Sequence, residues 1–213
     1  MRSSQLKSIL PSHVWRGKEH SKSNSRGYVP SGFLKIDEKI DGWPLGTLIE
    51  IVHHQIGIGE FSILLPALAR LSQDSRWILL VCPPYIPYAP FLSKMGVDTS
   101  KVIVTHAETI KDAGWCMEQG LRSHACSAVI GWLPHITEKI IRRLQLTLEE
   151  ENVLGVFFTK PTTRCKNNPT PWRFILRQKN HEMIVEIPKR RGGGPISPIS
   201  ISNQLKQTCC GFA

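Results

Sequence analysis

The residues that come closest to a catalytic motif lie in Thr47–Phe61, which reads TLIEIVHHQIGIGEF. The pattern predicts a strand, a turn with glycines and the start of a helix, as in a phosphate-binding loop. A working loop reads GxxxxGK(S/T): its amides hold phosphates, its Lys reaches the terminal phosphates, and its hydroxyl holds magnesium. Here Gly57 and Gly59 supply the turn, but Gly59 and Glu60 stand where the Lys and the hydroxyl residue should be. Because a carboxylate repels a triphosphate, the stretch predicts a degenerate nucleotide loop.

Other reactive residue types show no catalytic or metal-binding spacing. The six cysteines form no CxxC pair and have no His at the spacing of metal ligands. Cys82 and Cys126 lie in or beside apolar runs, which favours buried thiols. His53 and His54 adjoin the glycine turn, and a position on a solvent-facing turn explains them more simply than a metal site does. The sequence therefore predicts no metal centre. No secretion signal or membrane-length apolar run is found, so the expected location is the reducing cytoplasm.

Alternating strands and helices must position these residues. Near-continuous apolar strands separated by helices predict an α/β fold with a mostly parallel central sheet covered on both faces. Beyond Pro161 the helical patterns stop, and strand-like alternation predicts a terminal β-hairpin. The predicted strands are Thr47–Val52, Trp77–Val81, Val102–Thr105, Ala128–Leu133, Leu154–Thr159, Trp172–Gln178 and Met183–Ile187, and the main helices are Glu60–Ser72, Tyr88–Met95, Ala107–Arg122 and Thr137–Glu151.

Charge divides the 213-residue chain into three parts. Residues 1–30 carry six basic residues and one acidic residue, residues 31–159 carry eleven and fourteen, and residues 160–213 carry ten and two. The net charges are therefore +5, −3 and +8. This pattern favours a flexible basic arm over residues 1–28, an α/β domain over 29–188 and a basic, glycine-rich tail over 189–213. Basic ends of this kind contact polyanions or acidic protein surfaces, although singly scattered charges serve solubility.

Each end contains residues suited to binding a partner. Trp15 and Arg16 lie in the arm, where a Trp is unusual for a polar, flexible segment. Trp15 either anchors a partner or fills the edge of the core. Lys189, Arg190 and Arg191 precede three glycines in the tail, and an arginine cluster of this type suits contact with phosphate or an acidic protein face. These five residues are the candidates for binding a partner or DNA.

Several segments resemble known families. The run YVPSGFLKIDEKIDGWPLGTLIEI that leads into the glycine turn is similar to the core of the RecA recombinases, which implies a RecA-like, P-loop-type domain. Other segments, spread over nearly the whole chain, resemble the RecA-related ImuA family of bacterial damage-induced mutagenesis. In chain order they are Val14–Gly17 (VWRG), Gly57–Glu60 (GIGE), Leu64–Leu71 (LLPALARL), Arg76–Pro90 (RWILLVCPPYIPYAP), Arg122–Pro134 (RSHACSAVIGWLP), Arg142–Leu146 (RRLQL) and Lys189–Pro195 (KRRGGGP).

Comparison with RecA proteins also bears on catalysis. In nucleotide hydrolases of this type a buried strand ends in an Asp that orients magnesium, but the strand AVIGWL carries Trp132 at that position. RecA proteins have a water-activating Glu after their second strand, and this chain has Pro83 and Pro84 there. Losing charge neutralisation and water activation together removes the basis of hydrolysis. The sequence therefore predicts no catalytic residues, no cofactor and no ATPase activity.

Resemblance to ImuA implies a non-catalytic adaptor of the SOS-induced complex for mutagenic translesion DNA synthesis. The implied partners are an ImuB-like homologue of Y-family polymerases and an error-prone replicative-type DNA polymerase. RecA or DNA would be further contacts of the basic ends. No membrane association is expected.

The alternative is a resemblance to the SulA family, whose members inhibit cell division by blocking the assembly of FtsZ. Ser75–Leu80 (SRWILL), Ser127–Leu133 (SAVIGWL) and Asn152–Pro161 (NVLGVFFTKP) carry this second resemblance. SulA-like proteins lack the VWRG arm and the KRRGGGP end, and on that ground the sequence favours ImuA. Overproduction separates the two interpretations, because a division inhibitor produces filamentous cells without DNA damage.

Overall fold

The computed structural model describes residues 27–54, 57, 59–149, 151–161, 168–179 and 182–201. Trp15 and Arg16, together with nearly all of the predicted arm, lie outside the described residues. The strands are β1 (Tyr28–Val29), β2 (Trp43–Pro44), β3 (Thr47–His53), β4 (Trp77–Val81), β5 (Val102–Thr105), β6 (Cys126–Trp132), β7 (Leu154–Thr159), β8 (Trp172–Lys179), β9 (Glu182–Lys189) and β10 (Ile196–Ile201). The helices are α1 (Leu34–Ile40), α2 (Leu65–Leu71), α3 (Ala89–Lys94), α4 (Ile110–Arg122) and α5 (Glu138–Glu149).

The strands form one large sheet in the order β10-β9-β8-β3-β7-β6-β4-β5. Neighbouring strands from β8 to β5 are parallel, whereas β9 and β10 are antiparallel additions beyond β8. The short strands β1 and β2 pair only with each other. Every residue of β3, β6 and β7 is buried, as expected for parallel strands that are covered on both faces. The prediction of an α/β fold with a mostly parallel sheet is confirmed.

Helices cover both faces of this sheet. On one face, Ile36 of α1, Leu68 of α2 and Leu92 of α3 belong to a core cluster that includes residues from most strands. On the other face, Met117 of α4 and Leu144 of α5 belong to a second cluster. Because successive side chains of a strand point to opposite faces, each central strand contributes to both clusters. The sheet is therefore stabilised by apolar burial on its two sides.

The predicted elements match the observed ones closely in the parallel part of the sheet. The predicted helix Glu60–Ser72 is an exception, because it begins as a 3₁₀ turn over Ser62–Leu64 and continues as α2. A second difference is β10, which pairs with β9 although it lies in the segment predicted as a tail. Ile199 and Ile201 of this strand are buried, so the predicted hairpin is a three-stranded extension of the sheet.

Within the described part of the chain, no helix has the length and apolar character needed to cross a lipid bilayer.

Candidate functional site at the carboxyl edge of the sheet

The glycine turn after β3 binds a carboxylate of its own chain. Gly57 and Gly59 both have a φ of +87°, a conformation that glycine adopts without strain. The amide of Gly57 donates to Oε2 and Oε1 of Glu60, at 3.0 and 3.3 Å, and Glu60 is buried. In a working phosphate loop such amides hold phosphate oxygens. In this chain the carboxylate of Glu60 accepts from the Gly57 amide. It therefore occupies a donor that would bind phosphate in a working loop.

The carboxyl ends of strands β3, β4, β6 and β7 meet at one cavity of about 340 Å³. Its lining includes His53 at the end of β3, Cys82 and Pro84 after β4, Trp132 at the end of β6 and Phe158 of β7. Parallel strands end on the same edge of a sheet, so residues far apart in sequence come together there. Trp132 and Pro84 are here part of a mainly apolar wall.

Aromatic stacking organises this wall. Trp132 and Phe158 face each other across neighbouring strands, and their rings stack with centroids 5.0 Å apart and an interplanar angle of 21°. Phe61 packs against Trp132 at a centroid distance of 5.6 Å, and the ring of His53 meets Phe158 edge-on at 6.0 Å. The indole N–H of Trp132 is buried and has no acceptor among the described residues. Such stacking adds to the stabilisation that comes from area burial alone.

Burial favours the protonated form of two thiols, Cys116 near this wall and Cys126 at the opposite, amino end of β6. Burial raises the pKa of the Cys116 thiol, with a smaller contribution from the charge of Cys82. Burial also raises the pKa of the Cys126 thiol, although a hydrogen bond from Ser123 opposes this shift. Cys82 lines the cavity with a φ of 51°, and its sulfur accepts a hydrogen bond from the amide of Ala107 at 3.2 Å. Protonated thiols are poor nucleophiles and poor metal ligands. The described residues contain no group of three His, Cys, Asp or Glu that could hold a metal ion.

The basic cluster predicted at the carboxyl end forms a turn between β9 and β10 and does not line the cavity. The ammonium group of Lys189 donates to the carbonyl of Asn168 at 2.9 Å, and Nε of Arg190 donates to the carbonyl of Gly194 at 2.9 Å. Arg191 lies 3.7 Å from the carboxylate of Glu149. Internal contacts thus occupy part of the cluster, and its role in binding stays a prediction.

The buried carboxylate of Glu118 contacts one arginine from each of two segments that resemble ImuA, Arg122–Pro134 and Arg142–Leu146. Glu118 of α4 is almost completely buried and pairs with Arg122 at 3.0 Å and with Arg143 of α5. Arg122 opens the RSHAC segment, and Arg143 lies in the RRLQL segment. The pair with Arg143 joins α4 to α5, whereas the pair with Arg122 lies within α4. Both arginines therefore have a structural role in these helices.

Sequence reasoning missed an exposed apolar segment that follows β4. Tyr85, Ile86 and Tyr88 are 74%, 85% and 71% exposed, and Phe91 of α3 is 41% exposed. The signal was present in the sequence as PPYIPYAP, where large apolar residues alternate with prolines that prevent regular structure. We attach this segment, with the adjoining edge strand β5, to the candidate site and call it the aromatic segment (Tyr85–Phe91).

Comparison with known proteins identifies the family. The family model described as "Cell division inhibitor SulA" matches residues 46–155. The cell division inhibitor SulA of Serratia proteamaculans is 31% identical over 121 residues, which cover 57% of this chain and 71% of the relative. That of Edwardsiella piscicida is 36% identical over 96 residues, which cover 45% of this chain and 57% of the relative. A crystal structure of SulA from Pseudomonas aeruginosa aligns with 18% identity and a TM-score of 0.44, covering 53% of this chain and 98% of that structure.

These matches overturn the functional prediction based on ImuA. The role as a translesion-synthesis adaptor, with an ImuB-like protein and an error-prone polymerase as partners, is wrong, because the matching relatives are cell division inhibitors. The specific assignment to ImuA is not confirmed. The two segments that favoured it, Val14–Gly17 and Lys189–Pro195, both lie outside the matched residues. A family of division inhibitors agrees with the prediction that this protein is not an enzyme. The match of the SulA model to more than half of the chain shows that the chain belongs to the SulA family of cell division inhibitors.

Proposed function

We propose that this protein inhibits cell division by binding FtsZ, the partner implied by the resemblance to SulA, and that it acts in the cytoplasm. The observation that carries the proposal is the aromatic segment, in which three large apolar side chains are more than two-thirds exposed. Contiguous exposed apolar residues on a folded domain mark interaction sites more often than isolated ones do. Tyr is also among the residue types that contribute most to the energy of interfaces.

The position of the aromatic segment supports binding to another protein. It lies in the connection between β4 and β5, the last two strands at one end of the sheet. Strand β5 pairs with β4 alone among the described strands, and its residues Ile103 and Val104 are 42% and 38% exposed. An edge strand of this kind presents backbone donors and acceptors to a partner. The segment and the edge strand together offer apolar area and directional hydrogen bonds at one end of the molecule.

Overproduction tests this function directly. In bacteria whose FtsZ comes from the same source as this chain, overproduction is expected to cause filamentous cells without DNA damage. A variant with Tyr85→Ser, Ile86→Ser and Tyr88→Ser is expected to restore normal cell length. Its affinity for purified FtsZ should fall by on the order of 100-fold, because two or more residues of hot-spot type are lost. Microscopy and sedimentation of FtsZ polymers measure the two effects.

A control variant loses exposed apolar side chains that lie outside the aromatic segment. Leu34 and Leu146 are 68% and 66% exposed and lie on α1 and α5. The variant Leu34→Ser with Leu146→Ser should filament cells as the unmodified protein does. If the variant with Tyr85, Ile86 and Tyr88 replaced filaments cells as strongly as the unmodified protein does, the aromatic segment is not the binding site. If overproduction of the unmodified protein leaves cells at normal length, the proposed function is refuted.

We also propose that the domain is a RecA-like, P-loop-type core in which the nucleotide loop has become structural. Support comes from the order of the elements, with a parallel strand, a glycine turn and a short helix at Thr47–Leu71, and from the contact of Glu60 with Gly57. A triphosphate at this turn would have to displace a buried carboxylate and would meet no Lys at the expected position. The loop then serves to join β3 to α2 and not to bind nucleotide.

Addition of ATP and magnesium is therefore expected to leave the melting temperature unchanged. A ligand that binds the folded state at a concentration 100 times its Kd would stabilise it by about 2.7 kcal/mol, which thermal unfolding detects easily. The double variant Gly59→Lys with Glu60→Thr should still not hydrolyse ATP, because Trp132 and Pro84 remain in place. A magnesium-dependent rise in melting temperature with millimolar ATP would contradict the proposal of a structural loop.

A further inference from the structure

We propose that the cavity at the carboxyl edge of the sheet binds a small planar aromatic acid. Its volume of about 340 Å³ lies at the lower end of the range for ligand sites, which is roughly 300–1,000 Å³. The cavity is also located where open α/β sheets bind ligands, outside the carboxyl ends of parallel strands. This binding goes beyond the proposed inhibition of cell division and does not depend on it.

The walls favour a flat and mainly apolar ligand. Trp132, Phe158, Pro84, Pro134 and Ile110 are among the residues that line the cavity. Aromatic and prolyl rings present flat faces, and a planar ring can lie against them with close contact over its whole area. Ligand sites of this kind combine a large apolar lining with a few polar groups that fix orientation.

The buried indole N–H of Trp132 does not orient the ligand. Trp132 is only 9% exposed, and its indole nitrogen has no acceptor among the described residues and almost no solvent-accessible surface. A ligand oxygen in the cavity therefore cannot reach this donor. Orientation of the ligand depends on the side of the cavity formed by β7, where a charged residue lies.

The charges around the cavity place the acidic group of the ligand on the side formed by β7. Lys160 follows β7 two residues after Phe158, lines the cavity, and forms no ion pair with the described residues. The opposite side, beside β5 and the start of α4, already carries Glu108 and Asp112. Three strand spacings separate β7 from β5, a distance of about 14 Å that exceeds the Debye length under physiological conditions.

The other titratable groups of the cavity fit this orientation. His53 comes from β3, which neighbours β7, and lines the cavity on the side of Lys160. Cys82 lies towards the side of Glu108, on the strand next to β5. The carboxylate of Asp112 is bonded to the hydroxyl of Thr109 at 2.6 Å, so it remains fixed at the start of α4. The cavity is thus basic at one end and acidic at the other, and an aromatic acid fits with its charge at the basic end.

A pair of fluorescent probes tests the site. Anilinonaphthalene sulfonate is an aromatic acid with a planar naphthalene ring, and phenylnaphthylamine is its neutral analogue. Both are expected to bind the folded full-length protein. Lys160→Met should raise the Kd of the sulfonate about fivefold, as expected for one partly exposed ion pair, while the Kd of the neutral probe changes by less than about twofold. Ala107→Phe, which fills the cavity from its β5 side, should raise both values at least about tenfold.

Two control variants and a second cavity-filling variant make the outcome decisive. Lys94→Met removes a Lys of α3 that does not line the cavity, and Ile86→Ser alters the exposed aromatic segment. Neither should change the Kd of either probe by more than about twofold. Ala113→Leu fills the cavity from α4 and replaces Ala107→Phe if thermal unfolding shows that the latter does not fold.

Two results would overturn the proposal. Binding that survives both cavity-filling variants, or that is lost in Ile86→Ser, would show that the probes bind the outer surface and not the cavity. Equal losses for the acidic and neutral probes in Lys160→Met would remove the preference for an acid. Filamentation assays on the cavity variants report separately on the proposed function, because probe binding requires no FtsZ.

Discussion

Replacement of Arg173 by Met is expected to lower the free energy of unfolding by about 3–5 kcal/mol, the usual cost of breaking a buried ion pair from one side. Glu50 lies in the centre of β3 and is completely buried. It stands opposite Arg173 on β8, whose Nε donates to Oε2 of Glu50 at 2.5 Å. Removing the guanidinium leaves a carboxylate in the core with no opposite charge, so much of the loss is the desolvation cost of Glu50.

Two comparisons isolate this effect in urea unfolding at neutral pH. The double variant Glu50→Met with Arg173→Met should recover most of the lost stability, because apolar residues of similar volume often replace a buried pair without loss. Arg177→Met, in the same strand, breaks the more exposed pair with Glu186 and should cost no more than about 1 kcal/mol. If Arg173→Met and Arg177→Met had equal effects, the Glu50–Arg173 pair could not be the electrostatic link between β3 and β8.

Replacement of Trp43 by Ala should cost about 3–5 kcal/mol as well, for a different reason. Trp43 is completely buried within the main core cluster. Its ring packs against Phe174 with centroids 4.9 Å apart. The Ala variant loses this apolar contact and leaves a large cavity, to which the surrounding structure can adapt only in part.

The variant Trp43→Phe provides the matched control for the cavity. The indole N–H of Trp43 is buried and finds no acceptor in the part of the chain that the structure describes, so its removal breaks no hydrogen bond there. We therefore expect Trp43→Phe to retain most of the stability that Trp43→Ala loses. Thermal and urea unfolding measure both variants, and a loss in Trp43→Phe as large as in Trp43→Ala would mean that the N–H, and not the ring, is the important group.

The parallel part of the fold could be predicted because each buried strand is a short apolar run with a clear end. Leu154–Thr159 is one such strand, and its predicted and observed bounds agree. Strand β10 was missed because Pro198 and the alternating serines in Ile196–Ile201 resemble a loop. Its burial depends on β9, which lies beside it only after the chain has folded. The pair formed by Glu50 and Arg173 was also beyond sequence reasoning, since the pairing of β3 with β8 joins residues more than a hundred positions apart.

The candidate site could be predicted in part. Glu60, Trp132 and Pro84 lack the chemistry of a phosphate-binding Lys, a magnesium-orienting Asp or a water-activating Glu, and the absence of ATP hydrolysis that they indicate stays a prediction. That Trp132 and Pro84 form one cavity follows only from the strand order, which places β6 beside β4. The functional prediction was wrong for another reason. Short basic and aromatic segments at the ends of the chain favoured ImuA, whereas the match to SulA covers residues 46–155.

Strand β3 is the first strand of the large sheet to be synthesised, yet it is among the last to be completed. Its two neighbours, β7 and β8, begin about 100 residues or more later in the chain. At roughly 5–20 residues per second, the ribosome needs roughly 5–20 seconds to make that segment. During this time the apolar strand β3 has neither of its partners, and long-range parallel pairing is slow to form. Nascent chains that stop before β8 would keep one edge of β3 open, and such chains are exposed to aggregation or to capture by chaperones.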